Sequence, residues 1–326
     1  MPRRAFISLI LKVTGNVNAD AGIGTRIPIK KIITWNQEVR PFVSARCIRR
    51  CIRERLYEKG FAIDPLQLIG KGEKQLGDIG DPVAYVDDDL FGFLVPEEEA
   101  LRRSSPIKIS HLIALRHSEV KVEFAGRFPR DFLPEGEKGY PAPFEIEVAD
   151  WLGKLNVIVT DRIGRFSDDE LRKEAKEKYK STKALNQNNN MWELQKEERT
   201  RRLSEFLKIL LWEGWTFPRS SQGSTSPEYY YAVIALTDKF TPIFGYVDIT
   251  DEGTLNDELI NNAKLIYHNM LSRLIIIDYK NAKYYKYVFN KQNEQESDSV
   301  EEKSLGALDA KSMNDIINEI TSYIVD

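Results

Sequence analysis

The stretch from residue 5 to residue 59 constrains this chain most. It holds an apolar run, AFISLILKVT, a polar glycine-bearing loop, GNVNADAGIGTRIPIKK, and then a segment carrying five arginines. Apolar residues fill the odd positions Ala5, Ile7, Leu9, Leu11 and Val13, and Phe6 and Ile10 add two even ones. A strand solvated on one face would alternate strictly, so this run predicts a central strand buried largely on both faces. Pro41 suits a first helical position and Gly60 the residue after a last turn. The segment between them is expected to be one helix of about five turns.

On a wheel of about 100° per residue, Ala45, Ile48, Ile52 and Leu56 gather on one side of that helix. Arg46, Arg49, Arg50 and Arg53 fall on the other, at i, i+3, i+4 and i+7. Arg55 falls near the apolar side and has to snorkel or pair. The plain account of the ridge is a solvated basic face. Against it, only Glu54 and Glu58 are interleaved, and like charges four apart cost stability, so the ridge is read as matched to an anion such as successive phosphates. The preceding loop adds Arg26, Lys30 and Lys31, with the amides of Asn16 and Asn18 as further hydrogen-bonding groups.

A net charge of −3 over 326 residues argues against a nucleic-acid binder only if charge is evenly spread. It is not: residues 1–59 hold thirteen Lys/Arg against four Asp/Glu, and residues 291–326 hold three against nine. The chain is dipolar, and a ligand responds to the local field. Cys47 and Cys51 lie four apart on one helix, where a disulfide is geometrically poor and metal partners are scarce. Both are expected as buried or half-buried thiols in a reducing, cytoplasmic setting. The N-terminal MPRRAFISLILKVTGN is basic then apolar like a short signal sequence, but Ser8 and Lys12 interrupt the run and no small-residue cleavage site follows. No apolar stretch approaches the ~20 residues of a membrane span, so no membrane partner is expected.

Residues 61–104 are loop-rich and read as an insertion outside the core sheet. PVAYV and LFGFLV are its short strands, and the acidic runs Asp87 to Asp89 and Glu97 to Glu99 are solvated turns. Residues 106–128 alternate well enough for one or two strands, and 144–166 for another pair. Residues 167–200 are highly charged with a run of asparagines, and so read as a protruding helical arm with a flexible tip or a partly disordered excursion. An amphipathic helix with Leu203, Phe206, Leu207, Leu210 and Leu211 as its core face follows, then a polar loop with Arg219, Ser220, Ser221 and Gln222, and the strand YYYAVIAL. That loop is either a plain connection or a second phosphate-contacting loop.

Residues 255–272 look helical, LIIIDYKNAKYYKYVF a pair of strands about Asn281, and MNDIINEITSYIV a final helix behind an acidic linker. The order gives an α+β plan, β-α-β-β-α-β with large insertions, which is the split βαβ of ferredoxin-like and RNA-recognition (RRM-like) folds. The core is assigned to 1–60 with 105–166 and 197–290, and 291–326 to the linker and last helix.

Support for catalysis is thin. His111, His117 and His268 are scattered, GIGTRI lacks a third phosphate-loop glycine, and no GxxxxGK[ST] loop exists. No cofactor or metal is expected. Asp20 is the one carboxylate placed to help a metal activate a ribose hydroxyl, and a turn-forming role outweighs that. The tyrosines at 229–231 and at 279, 284, 285 and 287 could stack bases but are better assigned to sheet packing.

ISLILKVTGNVNADAGIGTRIPIKK followed by VSARCIRRCIRERL resembles the opening of the DevR-type CRISPR-associated autoregulator family, the backbone subunits of type I Cascade complexes. RRLSEFLKILLWEGW and IVTDRIGRF are similar to later segments of that family. The resemblance is strongest over residues 5–59 and patchier over 105–270. It implies a modified RRM-like fold whose copies line up head to tail on CRISPR guide RNA (crRNA), alongside other Cascade subunits, leaving bases free to pair with target DNA. At matching positions it implies phosphate contacts from Asn16, Asn18, Lys30, Lys31, Ser44, Arg46, Arg49, Arg50 and Arg53, and Met191 at the tip of a thumb-like insertion, 167–196. The sequence departs from the family at TFPRSSQG, where relatives carry a glycine-glycine-alanine-arginine loop. Type III relatives cut RNA with an aspartate in the loop that holds Asp20, but NADAGIG looks like the non-cutting branch. A metal-dependent ribonuclease and a DNA-binding regulator stand as the rival readings.

Overall fold

A computed structural model describes residues 2–22, 24–69, 74–96, 101–128, 142–188, 191–218, 226–289 and 300–326. Its frame is a 12-stranded sheet in which Arg4–Gly15 lies between Ala142–Thr160 and Glu228–Thr237, antiparallel to both. Beyond Glu228–Thr237 come Leu271–Asp278, Lys283–Phe289 and Val300–Ala307; on the other side come Leu112–Ala114, Val39–Val43 and Lys31–Ile33.

The first strand is central and covered on both faces, as its composition requires. Ala5, Ile7, Leu9, Leu11 and Val13 pack with Ile48, Ile52 and Leu56 of the arginine helix, with Leu203, Phe206 and Leu207 of helix Lys196–Lys208, and with Ile316, Ile317 and Ile320 of helix Ala310–Val325. Phe6 and Ile10 point the other way, into a second core with Ile243, Val247, Leu255, Ile260 and Ala263. Each of the larger of these side chains, removed from water, contributes about 1.5–3 kcal/mol, so the strand fixes both layers.

Several expectations are revised. The arginine helix spans Ala45–Glu58, not from Pro41: Pro41 sits in strand Val39–Val43 opposite Lys31, and Ser44 caps the helix by accepting from the Cys47 amide at 3.2 Å. Pro41 lies beyond the two residues of its strand that pair with Leu112–Ala114, so its missing N–H costs no ladder bond there, whereas a serine at the cap satisfies an orphan donor. Residues 106–128 give three strands, Ile107–Ile109, Leu112–Ala114 and Lys121–Arg127. Residues 144–166 give two strands of very unequal length, the 19-residue Ala142–Thr160 and the short Arg165–Ser167, which joins a different sheet. Gly153 does not break the long strand, because Trp151 folds over that glycine: a β-carbon there would come within 2.3 Å of the indole. Val300–Ala307 is an edge strand where a linker was expected, and residues 290–299 lie outside the described residues.

The charged stretch 167–200 is no simple helical arm. Helix Lys173–Ser181 and the three-stranded sheet of Arg165–Ser167, Leu185–Asn188 and Met191–Leu194 close on their own core of Phe166, Leu171, Tyr179, Leu185, Trp192 and Leu194. In the 61–104 region the pairs Gln67–Ile69/Gln75–Gly77 and Phe93–Val95/Leu101–Arg103 lie outside the large sheet. PVAYV is not a strand, however, but leads into helix Val86–Phe91. Asp87, Asp88 and Asp89 are not solvated: all three are buried. Glu97 to Glu99 lie outside the described residues. Among the described residues no helix is long and apolar enough to cross a membrane.

Candidate nucleic-acid interface

The loop after the first strand is held against the start of the arginine helix by two asparagines. Asn16 is buried and donates to the carbonyls of Ile27 at 3.2 Å and Glu147 at 2.8 Å, pinning the loop to the long strand. Asn18, at a φ of 54°, accepts from both the backbone N–H and the hydroxyl of Ser44 at 2.9 Å. Asparagine tolerates that left-handed backbone better than most residues. On the far side His111 accepts from the Ala45 amide through Nδ1 at 2.8 Å. Asn16, Asn18 and Ser44 therefore build the junction of loop and helix through the Asn16 amide nitrogen, the Asn18 carbonyl oxygen and the Ser44 hydroxyl, while the Asn16 carbonyl oxygen is buried without a hydrogen bond.

Four cations of the predicted ridge are spoken for to very different degrees. Arg50 pairs with Glu54 at 2.9 Å on the exposed surface, and Arg53 with buried Asp87 at 2.8 Å. In the loop, Arg26 and Lys31 both reach Glu147, at 2.9 Å and 2.6 Å. That carboxylate is held below its usual range: burial would raise it, and the opposing hydrogen bonds from Lys31 and the Ile29 amide, with the charges of Lys31 and Arg26, outweigh burial. Arg55 turns to Glu58 and Glu213.

Lys30, Arg46 and Arg49 have no acidic partner among the described residues. Arg49 is the most exceptional. Its Nε is buried without a hydrogen bond, and its guanidinium is pushed below its ordinary pKa by burial first and then by Arg53 and Arg46. A helix that holds two adjacent guanidinium groups without a counter-charge has an unmet need for an anion. The Cys47 thiol is pulled down by the hydrogen bond to Cys51 and by Arg50 and Lys30, which reports the same positive field. Both thiols are free and buried, as expected.

Met191 stands half-buried at the start of strand Met191–Leu194, on the separate small sheet. Arg219, Ser220, Ser221 and Gln222 lie outside the described residues. Asp20 is exposed, accepts from the next amide, that of Ala21, at 3.0 Å, and lines a cavity of ≈ 630 Å³ with Arg26, Lys31 and Glu147. Elsewhere Asp64, Asp78 and Asp88 converge, with one carboxylate oxygen from each within 4.8 Å of the others. Burial, with Asp64 and Asp87 nearby, pushes the Asp88 carboxyl up to about 8. Tyr229 and Tyr279 donate to the carbonyls of Leu210 at 2.9 Å and Leu211 at 2.6 Å and so belong to packing.

Sequence reasoning missed Glu147 and His111, which orient the loop and the helix. Glu147 lies on an alternating strand with nothing local to mark it, and His111 was weighed only as a ligand or acid-base group. It also missed a buried network in which Asp89 binds Arg103 at 2.7 Å and Arg202 at 2.9 Å, and Glu170 binds Arg103 at 2.9 Å.

With this geometry the chain has the fold of protein subunits found in RNA-guided assemblies. It superposes on a chain of a CRISPR RNA-guided surveillance complex with a TM-score of 0.54 at 13% identity, covering 97% of this chain and 98% of that one. It matches a chain of a CRISPR RNA-guided surveillance complex in a pre-nicking state equally, at 0.54 and 11% identity over 98% and 99%. The family profile of the CRISPR-associated negative auto-regulator DevR/Csa2 matches residues 80–245, half of the chain, and the chain belongs to that family. The match covers the middle of the chain rather than residues 5–59, where the resemblance in sequence is strongest. No curated protein sequence matches.

Proposed function

We propose that this chain is a backbone subunit of a CRISPR RNA-guided surveillance complex, gripping crRNA by its phosphates and leaving the bases free to pair with target DNA. Family membership and the full-length likeness to chains of such complexes support the setting. The observation that carries the RNA reading is the uncompensated pair Arg46 and Arg49, with Lys30 beside the same helix. We read Arg4–Gly15, Ala142–Thr160 and Glu228–Thr237, with helices Ala45–Glu58 and Lys196–Lys208, as the RRM-like palm. Residues 61–104 and 167–196 are then its insertions, the latter the thumb. Successive copies, with other subunits of the complex, would extend the grip along the guide.

The reading is non-catalytic. Asp20 faces cations rather than further acids in its cavity, apart from Glu147, which two of those cations already neutralise. With two carboxylates balanced by two cations, the lining has no excess negative charge to hold a divalent metal. The test compares single-stranded RNA with duplex DNA in filter binding. Arg46→Glu with Arg49→Glu is expected to abolish RNA binding at physiological salt while circular dichroism stays unchanged. Retained binding, or a preference for duplex DNA, would overturn the reading and favour a regulator.

A further inference from the structure

Trp35 and a cavity toward the opposite end of the large sheet have no role in the site above. At one end the hairpin of Lys31–Ile33 and Val39–Val43 forms the sheet edge, and its turn holds Trp35 out at 94% exposure, with Ile33 at 70%. The turn is rigid. Thr34 N–H donates to the Glu38 carbonyl and Gln37 N–H to the Thr34 carbonyl, both at 3.0 Å, and Asn36 donates to the Glu38 carboxylate at 3.0 Å. A tryptophan held out on a fixed turn loses little conformational freedom when it docks, which is why rigid aromatics dominate interface energetics.

Toward the other end, a half-open cavity of ≈ 450 Å³ lies between helix Asp257–Tyr267 and strands Glu228–Thr237, Leu271–Asp278 and Lys283–Phe289. Its walls include Leu255, Ile260, Ile276, Tyr285 and Tyr287, and Lys264 sits 3.4 Å from the Tyr287 ring centroid. Asp257, Asn261 and Asp278 line its mouth, offering acceptors to an N–H and negative charge to a basic neighbour. An indole matches this lining: a flat apolar body for the tyrosine and aliphatic walls, and one donor for the carboxylate and amide oxygens.

We propose that Trp35 of one copy seats in this cavity of the next copy. Knob and hole lie at opposite ends of one sheet, so the contact is heterologous and repeats in an open row rather than closing a dimer. The inference rests on the proposed coating of guide RNA by successive copies and assigns the surfaces through which they meet.

The test mixes an Ile33→Cys variant, which keeps Trp35, with an Asn261→Cys variant of the full chain and treats the mixture with a short bismaleimide. Both positions are exposed, so both variants fold, and the native Cys47 and Cys51 are buried and serve as the background control. The reaction is run with long single-stranded RNA and, separately, at high protein concentration without RNA, while filter binding reports RNA affinity on its own. Cross-linked pairs in the mixture and absent from either variant alone are the expected result. No pair under either condition overturns the docking whatever the filter assay shows, and loss of RNA binding with cross-linking intact overturns only the RNA reading. Trp35→Ala is expected to weaken co-assembly about thirtyfold, the order of a hot-spot aromatic. If it instead weakens binding to an RNA too short for two copies, Trp35 contacts the nucleic acid and the docking is wrong.

Discussion

Asp89 and Arg202 lie 113 residues apart in the chain and meet at 2.9 Å with side chains 0% and 4% exposed. The same carboxylate holds Arg103 and accepts from the Gly164 amide at 3.0 Å, so one residue joins helix Val86–Phe91, helix Lys196–Lys208 and the turn before strand Arg165–Ser167. Removing one partner of a buried pair strands the others. Asp89→Ala is expected to cost about 3–5 kcal/mol in urea denaturation. A loss below about 1 kcal/mol would show that the arginines find other partners.

The cations of the proposed interface divide by their partners. Lys30→Ala and Arg46→Ala leave no acid stranded, so each should reduce the slope of log K against log salt for single-stranded RNA by about 0.7 with stability unchanged. Arg53→Ala leaves Asp87 buried without its cation and is expected to lower stability as well. Equal effects of all three on thermal unfolding would contradict this division.

Asp88 makes the fold sensitive to base. Its folded pKa of about 8 stands above the ordinary 3.8, so the folded chain binds the proton more tightly than the unfolded one. Stability from this group is present in full below pH 4, declines as pH rises toward 8, and levels off above it. Asp88→Asn keeps an acceptor for the Asp81 amide, now at 2.8 Å, and should flatten the decline, gaining on the order of a few kcal/mol at pH 8. Unfolding curves of the two proteins across pH 4 to 9 decide it; parallel curves would rule the group out.

Tyr279 caps the π-helical turn Ile209–Glu213 through its bond to the Leu211 carbonyl. Tyr279→Phe leaves that carbonyl without a partner and is expected to cost about 1–3 kcal/mol. Chemical denaturation measures it, and a neutral substitution would mean water reaches the turn.

Asp20 should be dispensable. Asp20→Ala is expected to leave guide and complementary RNA intact in Mg²⁺, as the unaltered chain does. Periodic cleavage by the unaltered chain that disappears in the variant would replace the scaffold reading with the ribonuclease one.

What was legible in the sequence followed from local periodicity. The central strand announced itself through apolar residues on both faces, and Leu203, Phe206, Leu207, Leu210 and Leu211 are all fully buried, as their spacing required. The arginine wheel was legible too, but the acid that answers Arg53 lies 34 residues on, beyond any helical window. Asp87 to Asp89 looked like surface for the same reason, since the arginines that answer Asp87 and Asp89, and the Asp64 and Asp78 beside Asp88, come from other segments. The core of Phe166, Leu171, Tyr179, Leu185 and Trp192 is spread over short elements separated by charged residues, which masks it in any single stretch. Asn18 and Ser44 were read as ligands because side chains that cap a helix and side chains that bind phosphate are of one chemical kind.

The strand Ala142–Thr160 runs through two settings without a break. Its first part pairs with Lys121–Arg127 and its second with the first strand, from Ala149 opposite Gly15 to Thr160 opposite Arg4. Such a member behaves as a lever. Any load applied to the outer ribbon is carried by one continuous backbone to the middle of the molecule, where many ladder bonds act in parallel and must shear together before it yields.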